Sequence, residues 1–457
     1  MAPQTLTPVE EMVARLDRAL AASPADATEL VWVEVRRSHE SLGKRRRDAN
    51  GSQDRTLLVR VRESGRIGFH STGLAGLPDL ERAVREALAQ ARLAPKAPPS
   101  RLAEGAGDPL PRLPGLCDEE VSRLTPARAK ELLQRGADGG GASEEATLSW
   151  AEGRFAVVNS RGLRRSAEAT AAWLDVSCGH TPGAGRATVV ARSLAGLDVP
   201  AVFARARQRH ALPGAEAALA HGPVPVVLAP EAVAALLGLL NAYALSSVSF
   251  LDGISFLRER VGQKVFHPAL SLRDDPGAAS GAPFPFDLLG AAKRSMDLVE
   301  RGVFLGAARD ERLAHVLGQP PTPHLVAPDE ARCSHLTLQP GGQPDAELLR
   351  QAEGGVWINE LAPVEAFDPR ALRFRAVARG VRRIVSGGGG SALGPAIPDL
   401  VWEDRLPALL RSVLGVGGEA LPVVPAPAGD PLLGAFTVPL LAFAAVDGLR
   451  PEPTPRS

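Results

Sequence analysis

Side chains that could bind a catalytic metal ion are few and widely separated in this sequence. A zinc hydrolase commonly carries two histidines on one helix face and a glutamate that activates water. Neither an HExxH nor an HExxxH motif occurs, and the single His-Glu pair, His39-Glu40, has no second histidine nearby. The remaining histidines are scattered along the chain. The sequence therefore has no standard helical motif for catalytic zinc.

Cys333 and His335 form a cysteine–histidine pair at close spacing. On a strand, residues two apart face the same side, so both could reach one ion, with His267 as a distant third ligand. Two neighbouring ligands do not make a site, and short patterns of this kind often arise by chance. Structural or incidental use is the favoured interpretation, and a rebuilt metal site is the alternative.

Two other short patterns have a chemical and a structural interpretation. Asp274 and Asp275 could bind a hard cation, but the Asp-Pro-Gly that follows is ordinary turn chemistry, which we favour. The glycine-rich run 386–391 lacks the Gly-Lys-[Ser/Thr] ending of a phosphate loop, so it indicates a loop between strands. No GxSxG nucleophile elbow is present.

Composition narrows the class of protein. The 457 residues contain 52 basic and 52 acidic side chains, and this balance disfavours nucleic acid as a partner. Three cysteines, Cys117, Cys178 and Cys333, do not suggest a disulfide framework and fit a reducing compartment. The first residues do not resemble a signal peptide, and the apolar stretch 431–446 is short and interrupted by Pro439. We expect a cytoplasmic protein with no membrane segment.

Hydrophobic periodicity predicts an α+β protein with helices and strands mixed in the first half and mostly short strands in the second. A Pro- and Ala-rich stretch marks the first boundary. The predicted organisation is an N-terminal α/β domain (1–94), a connector (95–114), a middle α+β domain (115–221), a strand-rich C-terminal domain (222–450) and a tail (451–457).

The helix predicted over residues 230–243 is the most distinctive element of the C-terminal domain. Pro230 and Glu231 suit its first turn, because proline needs no N–H partner there and a carboxylate favours the positive helix end. Its residues are apolar nearly all round, which predicts a buried helix. Two further helices are expected near residues 346–353 and 403–414.

The C-terminal half resembles the TldD/PmbA family, whose PmbA members are also called TldE and which carries the old label "modulator of DNA gyrase". The order and spacing of many short stretches carry the resemblance, and a stretch at 66–72 (RIGFHST) extends it to the N-terminal domain. The C-terminal stretches are 225–230 (PVVLAP), 249–251 (SFL), 261–266 (VGQKVF), 270–276 (LSLRDDP), 282–287 (APFPFD), 297–306 (DLVERGVFLG), 336–341 (LTLQPG) and 416–419 (VGGE).

The resemblance implies a β-barrel-like C-terminal domain and a two-subunit metalloprotease system. TldD-type members hold zinc through an HExxxH helix and a distant cysteine, whereas PmbA/TldE-type members lack these ligands and pair with the first type. Aligning the helix after Pro225 places Gly238 and Leu239 at the His-Glu positions and Tyr243 at the second histidine. No cysteine follows Cys333. The resemblance therefore implies a zinc-less subunit of the PmbA/TldE type.

The same resemblance supplies expectations about partners and substrate. It implies a TldD-like partner, or a second copy of this chain, and an unfolded protein or peptide as substrate, with zinc held by the partner. It also implies cleft loops at Asp274, Asp275, Phe286 and Asp287. Two loops depart from the family pattern, at 319–323 and 372–375, so substrate handling is expected to differ. The alternatives are an autonomous metallohydrolase using Cys333, His335 and His267, and a non-enzymatic peptide-binding homodimer.

Overall fold

A computed structural model describes residues 5–43, 51–73, 79–97, 108–137, 143–180, 183–212, 222–278, 282–387, 390–424 and 431–452. Outside these ranges lie the basic run 44–48, much of the connector, residues 388–389 of the glycine-rich run and the last five residues. The helices are α1 (Val9–Ala21), α2 (Leu80–Leu93), α3 (Glu119–Ser122), α4 (Pro126–Ala137), α5 (Val199–Arg209), α6 (Pro230–Leu240), α7 (Ser247–Leu251), α8 (Glu311–Leu317), α9 (Asp345–Gln351) and α10 (Leu406–Leu409).

Strands dominate the rest of the described chain. Those of the N-terminal half are β1 (Ala27–Leu42), β2 (Ser52–Glu63), β3 (Arg66–Gly73), β4 (Glu144–Asn159), β5 (Arg164–Cys178) and β6 (Gly185–Ala191). Those of the C-terminal half are β7 (Val224–Leu228), β8 (Leu272–Asp274), β9 (Met296–Glu300), β10 (Val303–Phe304), β11 (Leu325–Ala327), β12 (Glu330–Ala331), β13 (Leu336–Leu338), β14 (Val356–Ile358), β15 (Glu360–Asp368), β16 (Arg373–Arg379), β17 (Arg382–Gly387), β18 (Gly390–Ala396), β19 (Leu400–Arg405), β20 (Val413–Val416), β21 (Leu421–Val423), β22 (Phe436–Val438), β23 (Leu441–Val446) and β24 (Leu449–Pro451).

The N-terminal half forms one antiparallel sheet of six strands in the order β3-β2-β1-β4-β5-β6. Its two long central strands, β1 and β4, pair directly, with Val31 opposite Val157. The segments predicted as separate units, 1–94 and 115–221, therefore contribute three strands each to a single sheet. Helices α1 and α2 bury residues such as Met12 and Ala87 against one side of it.

The opposite side of this sheet packs against the C-terminal half. Phe155 of β4 meets the ring of Phe284 at a centroid distance of 4.8 Å, and Phe284 meets Phe286 at 5.1 Å. Buried Arg192, which follows β6, donates hydrogen bonds to the carbonyl oxygens of Thr170 and Leu432 and also to Ala282 and Pro283. Since Thr170 is in β5 and the other three acceptors are in the C-terminal half, this arginine joins the two halves.

The C-terminal strands form separate open sheets. Two have six strands, in the orders β10-β9-β8-β13-β22-β21 and β18-β17-β14-β7-β23-β20, and the others are β15-β16-β19-β24 and the pair β11-β12. The α+β class expected from the sequence is confirmed, but these described strands do not close into the expected β-barrel-like arrangement. The sheets instead surround α6, whose side chains pack into one large apolar core.

The predicted helices mostly form, with one exception. The helix expected over residues 403–414 is replaced by the end of β19, the single turn α10 and strand β20. Trp402 of β19 is buried between Phe374 and Phe443, and this tertiary packing favours an extended strand over the helical pattern. Among the described residues, no helix is long and apolar enough to cross a membrane.

Candidate functional site

Helix α6 begins where the sequence predicts and is anchored by the N-terminal half. Pro230 occupies its first turn, and the carboxylate of Glu231 accepts a hydrogen bond from the backbone N–H of Thr188 at 2.9 Å. Arg209 of α5 also pairs with Glu231, with 2.9 Å between Nη1 and Oε2, and both side chains are buried. This charge contact fixes the direction in which α6 enters the C-terminal core.

The helix changes its winding near its end. Residues Asn241–Leu245 form a π-turn, so the predicted helix 230–243 is α-helical only to Leu240. A π-turn adds a residue to the turn, and such turns are frequent at functional sites. Of the positions that the sequence resemblance aligns with an HExxxH motif, 238 and 239 lie in α6 and 243 lies in the π-turn.

The side chains at the three motif positions cannot hold zinc. Gly238 has no side chain, Leu239 is buried in the apolar core, and Tyr243 packs partly buried against the same core. Protein zinc ligands are cysteine sulfur, histidine nitrogen and carboxylate oxygen, and none of these occupies the three positions. The positions that the resemblance aligns with the motif therefore offer no donor atom to a zinc ion.

A different group of potential ligands lies close to the end of α6. Asp274, His324 and Cys333 are buried, and each offers one ligand atom within 4.8 Å of the others. Nε2 of His324 lies 3.2 Å from Oδ2 of Asp274. Asn241, in the π-turn, donates from Nδ2 to the carbonyl oxygen of Cys333 at 2.8 Å. The cluster is therefore tied directly to the helix that carries the degenerate motif.

A chain of hydrogen bonds runs beside this cluster. Lys293 Nζ donates to Ser334 Oγ at 2.6 Å, and Ser334 Oγ lies 2.9 Å from His335 Nδ1. Nε2 of His335 lies 2.9 Å from the carbonyl oxygen of Ala282, which can only accept. Nε2 must therefore carry the proton and donate it, while Nδ1 accepts from the serine hydroxyl. Both nitrogens of His335 are already engaged.

Burial sets the protonation of these groups. It lowers the pKa of His335 to about 3, an effect that the nearby Lys293 ammonium reinforces, so this imidazole is neutral. Burial also raises the pKa of the Cys333 thiol well above its ordinary value. Burial alone would raise the pKa of Asp274, but its contact with His324 and the charges around it more than offset that, and the pKa falls below its ordinary value. Asp274 is therefore a carboxylate beside a neutral thiol.

The structure separates the three metal-ligand candidates named from the sequence. Cys333 and His335 do not lie on a strand, because β13 begins at Leu336, so the side chains are not held on one face. Nδ1 of His267 accepts a hydrogen bond from the backbone N–H of Ala269, in a loop whose backbone bonds to Leu410. The partner of Cys333 is instead His324, which no local spacing in the sequence connects to it.

The four residues expected in cleft loops have different surroundings. Asp275 lies in a partly exposed turn and accepts a hydrogen bond from Ser295 Oγ at 2.7 Å, in agreement with the favoured turn interpretation. Asp274 is buried in the cluster described above, and Phe286 is buried in the aromatic contact between the halves. Asp287 is also buried and accepts backbone N–H groups of Leu289, Ala291 and Leu325. The last three side chains stabilise the fold and do not face solvent.

Comparisons with known proteins agree with the resemblance seen in the sequence. Residues 221–445 match the family model of the PmbA/TldA metallopeptidase C-terminal domain. A curated protein named metalloprotease, from Methanothermobacter thermautotrophicus, is 25% identical over 202 residues, 43% of this chain. The match spans only 43% of the length of that relative.

Solved structures share the fold over almost the whole chain. A protein described as a modulator of a DNA gyrase, from Thermotoga maritima, aligns with a TM-score of 0.78 and 18% identity, covering 97% of this chain and 100% of that one. TldE from Thermococcus kodakarensis aligns with a TM-score of 0.76 and 18% identity, covering 96% and 98%. A described modulator of DNA gyrase from Bacteroides thetaiotaomicron gives 0.75 and 16%, covering 97% and 99%. At these identities the likeness establishes the fold alone.

Proposed function

The chain belongs, through residues 221–445, to the TldD/PmbA family of metallopeptidase-like proteins, and from this premise we propose that it is a non-catalytic subunit of the TldE type. It pairs with a TldD-like subunit that supplies the HExxxH helix and the zinc ion. The complex cleaves unfolded proteins or peptides. The contribution of this chain is the wall of a shared substrate chamber.

One observation carries the proposal: α6 and its π-turn offer Gly238, Leu239 and Tyr243 at the positions that the resemblance aligns with the HExxxH ligands. A subunit that keeps the fold of an enzyme but leaves catalysis to its partner is expected to retain the helix and to lose the metal ligands. The metal of the partner is not expected at α6 of this chain.

The strands around α6 suit an extended substrate. Strand β15 is at the edge of its four-stranded sheet, bonded there to β16, and it packs close to α6. An edge strand can bind an extended peptide through main-chain hydrogen bonds, which gives affinity with little sequence preference. This supports a role in substrate binding beside the position where the partner's chemistry is expected.

The test is reconstitution with an HExxxH-bearing family member from the same organism. We expect the tagged full chain to capture that protein at equal stoichiometry, and casein or an unfolded peptide to be cleaved only when both are present. Replacing the partner's motif glutamate by glutamine should abolish cleavage. In this chain Tyr243→Phe should leave it unchanged, because the hydroxyl has no catalytic role.

Three results would contradict the proposal. Cleavage by this chain alone would indicate an autonomous hydrolase, and loss of cleavage by the complex in Tyr243→Phe would show that this chain contributes a catalytic group. A stable homodimer that binds peptide and captures no HExxxH partner would indicate a non-enzymatic peptide-binding protein.

A further inference from the structure

We propose that Asp274, His324 and Cys333 form a buried structural site for a divalent transition metal, with zinc the best match. This site is separate from the degenerate motif positions on α6. The lack of zinc ligands concerns the motif positions on α6 and does not extend to these three side chains. The inference does not rest on the proposed subunit role.

The geometry of the donor atoms fits a tetrahedral ion. With metal–nitrogen and metal–oxygen bonds of about 2.0–2.1 Å, two ligands of a tetrahedral zinc ion lie roughly 3.3 Å apart. The 3.2 Å between Oδ2 of Asp274 and Nε2 of His324 matches that separation, and Cys333 Sγ completes a set within 4.8 Å. Three donors of three different types thus lie close to one another.

Two polar atoms of this group have no hydrogen bond of good geometry, although Oδ2 of Asp274 keeps its 3.2 Å contact with Nε2 of His324. In the part of the chain that the structure describes, Oδ2 of Asp274 and Nδ1 of His324 are buried without hydrogen-bond partners. Leaving a buried polar atom unpaired costs about 1–3 kcal/mol. Oδ1 of Asp274 accepts the backbone N–H of His335 at 2.7 Å, so the aspartate is held in place with its second oxygen directed at the imidazole of His324. This is the arrangement of a supported metal ligand.

Charge balance favours a dication. A coordinated thiol is deprotonated, so Cys333 and Asp274 together would offset the two charges of the ion. The buried Lys293 interacts electrostatically with the carboxylates of both Asp274 and Asp287. One thiolate, one imidazole and one carboxylate suit zinc better than magnesium or calcium, which prefer oxygen ligands. The same cluster without metal would leave a neutral thiol beside the Asp274–His324 pair.

The position indicates a structural role. The three ligands come from β8, from the segment before β11 and from the segment after β12. The last segment is also bonded to the α6–α7 region, through Asn241 at Cys333 and through Ser247 Oγ, which accepts the backbone N–H of Ala331 at 2.9 Å. An ion here would join three segments of the C-terminal core beneath the end of α6.

Cobalt provides a direct test with the full-length chain stripped of metal by a chelator. We expect one equivalent of Co²⁺ to produce the intense visible bands of a tetrahedral site together with a sulfur-to-cobalt charge-transfer band. Zn²⁺ should displace both and raise Tm. Absence of the bands in the wild-type chain, together with an unchanged Tm in Zn²⁺, would overturn the proposal and leave a hydrogen-bonded cluster.

Variants assign the ligands. Cys333→Ser should lose the charge-transfer band, and His324→Gln should weaken Co²⁺ binding by about 100-fold or more, since even supporting residues cost 10–100-fold. Cys178→Ser is the matched control, because Cys178 is also buried but lies in β5, and it should retain the band. A band retained in Cys333→Ser would also overturn the assignment. If a variant fails to fold, the cobalt spectrum and the Tm of the wild-type chain still test the proposal.

The two proposals can fail separately. The cobalt spectrum reports on this chain without any partner, and partner capture does not depend on the three ligands.

Discussion

Arg192 shows how much one buried side chain can contribute to the arrangement of the two halves. Its guanidinium donates to four backbone carbonyl oxygens, one in β5 and three in the C-terminal half. A planar guanidinium with five N–H donors suits such a set of acceptors, and lysine cannot reproduce it. The residue carries no local sequence signal, because its acceptors are backbone atoms far along the chain.

We predict that Arg192→Met lowers the free energy of unfolding by about 3 kcal/mol or more, since several buried carbonyls lose their donor. The midpoint of urea denaturation measures this. Arg294→Met is the control: Arg294 pairs with Asp108 at 2.7 Å, but both side chains are exposed, so its loss should cost at most about 0.5–1 kcal/mol. Equal effects of the two substitutions would refute the assigned role of Arg192.

The sequence drew attention to two of the three residues of the proposed metal-ligand cluster and missed the third for a physical reason. Asp274 and Cys333 stand out as a possible cation ligand and as part of a cysteine–histidine pair. His324 does not, because it is 50 residues from Asp274 and becomes its neighbour only when β8 and the segments around β11 and β12 fold together. The strand rule that paired Cys333 with His335 failed because that segment is not a strand.

Local signals predicted α6 well at its start and less well at its end. The proline and glutamate at its first turn act within a few residues, so they can be read directly from the sequence. The π-turn at Asn241–Leu245 depends on contacts such as that of Asn241 with Cys333, which are tertiary. For the same reason, the buried surroundings of Trp402 turned a predicted helix into strand β19.

At the scale of this element, we predict that Glu231→Gln destabilises the protein by about 3 kcal/mol, because it leaves the buried Arg209 without its countercharge. Adding Arg209→Met should recover part of the loss, so a double-mutant cycle should show coupling of at least about 1 kcal/mol. The exposed pair Arg128–Glu131 is the control and should couple by less than about 0.5 kcal/mol. Coupling no larger than that of the control would contradict the anchoring of α6 by α5.

The whole molecule behaves as two halves joined by an apolar contact as well as by buried charges. Phe155, Phe284 and Phe286 form the apolar contact. Arg60 of β2 and Glu311 of α8 add an ion pair at 3.2 Å.

From the sequence, the first 221 residues were predicted as two units with a connector, because the pairing of β1 with β4 crosses more than a hundred residues and has no local signature. The C-terminal region was predicted as a unit because its strand-rich pattern and its resemblance to a known family are continuous.

If the aromatic contact couples the halves, Phe284→Ala should destabilise both of them together. The substitution creates a buried cavity, and we expect a loss of about 3–5 kcal/mol in the free energy of unfolding. Hydrogen exchange should then accelerate both in β4 and in the C-terminal sheets. Phe367→Ala is the matched control, because Phe367 is 50% exposed, and it should cost less than about 1 kcal/mol. Faster exchange confined to the C-terminal sheets would mean that the N-terminal sheet is stable without this contact, and that the halves are coupled only through charges such as Arg192 and Arg60.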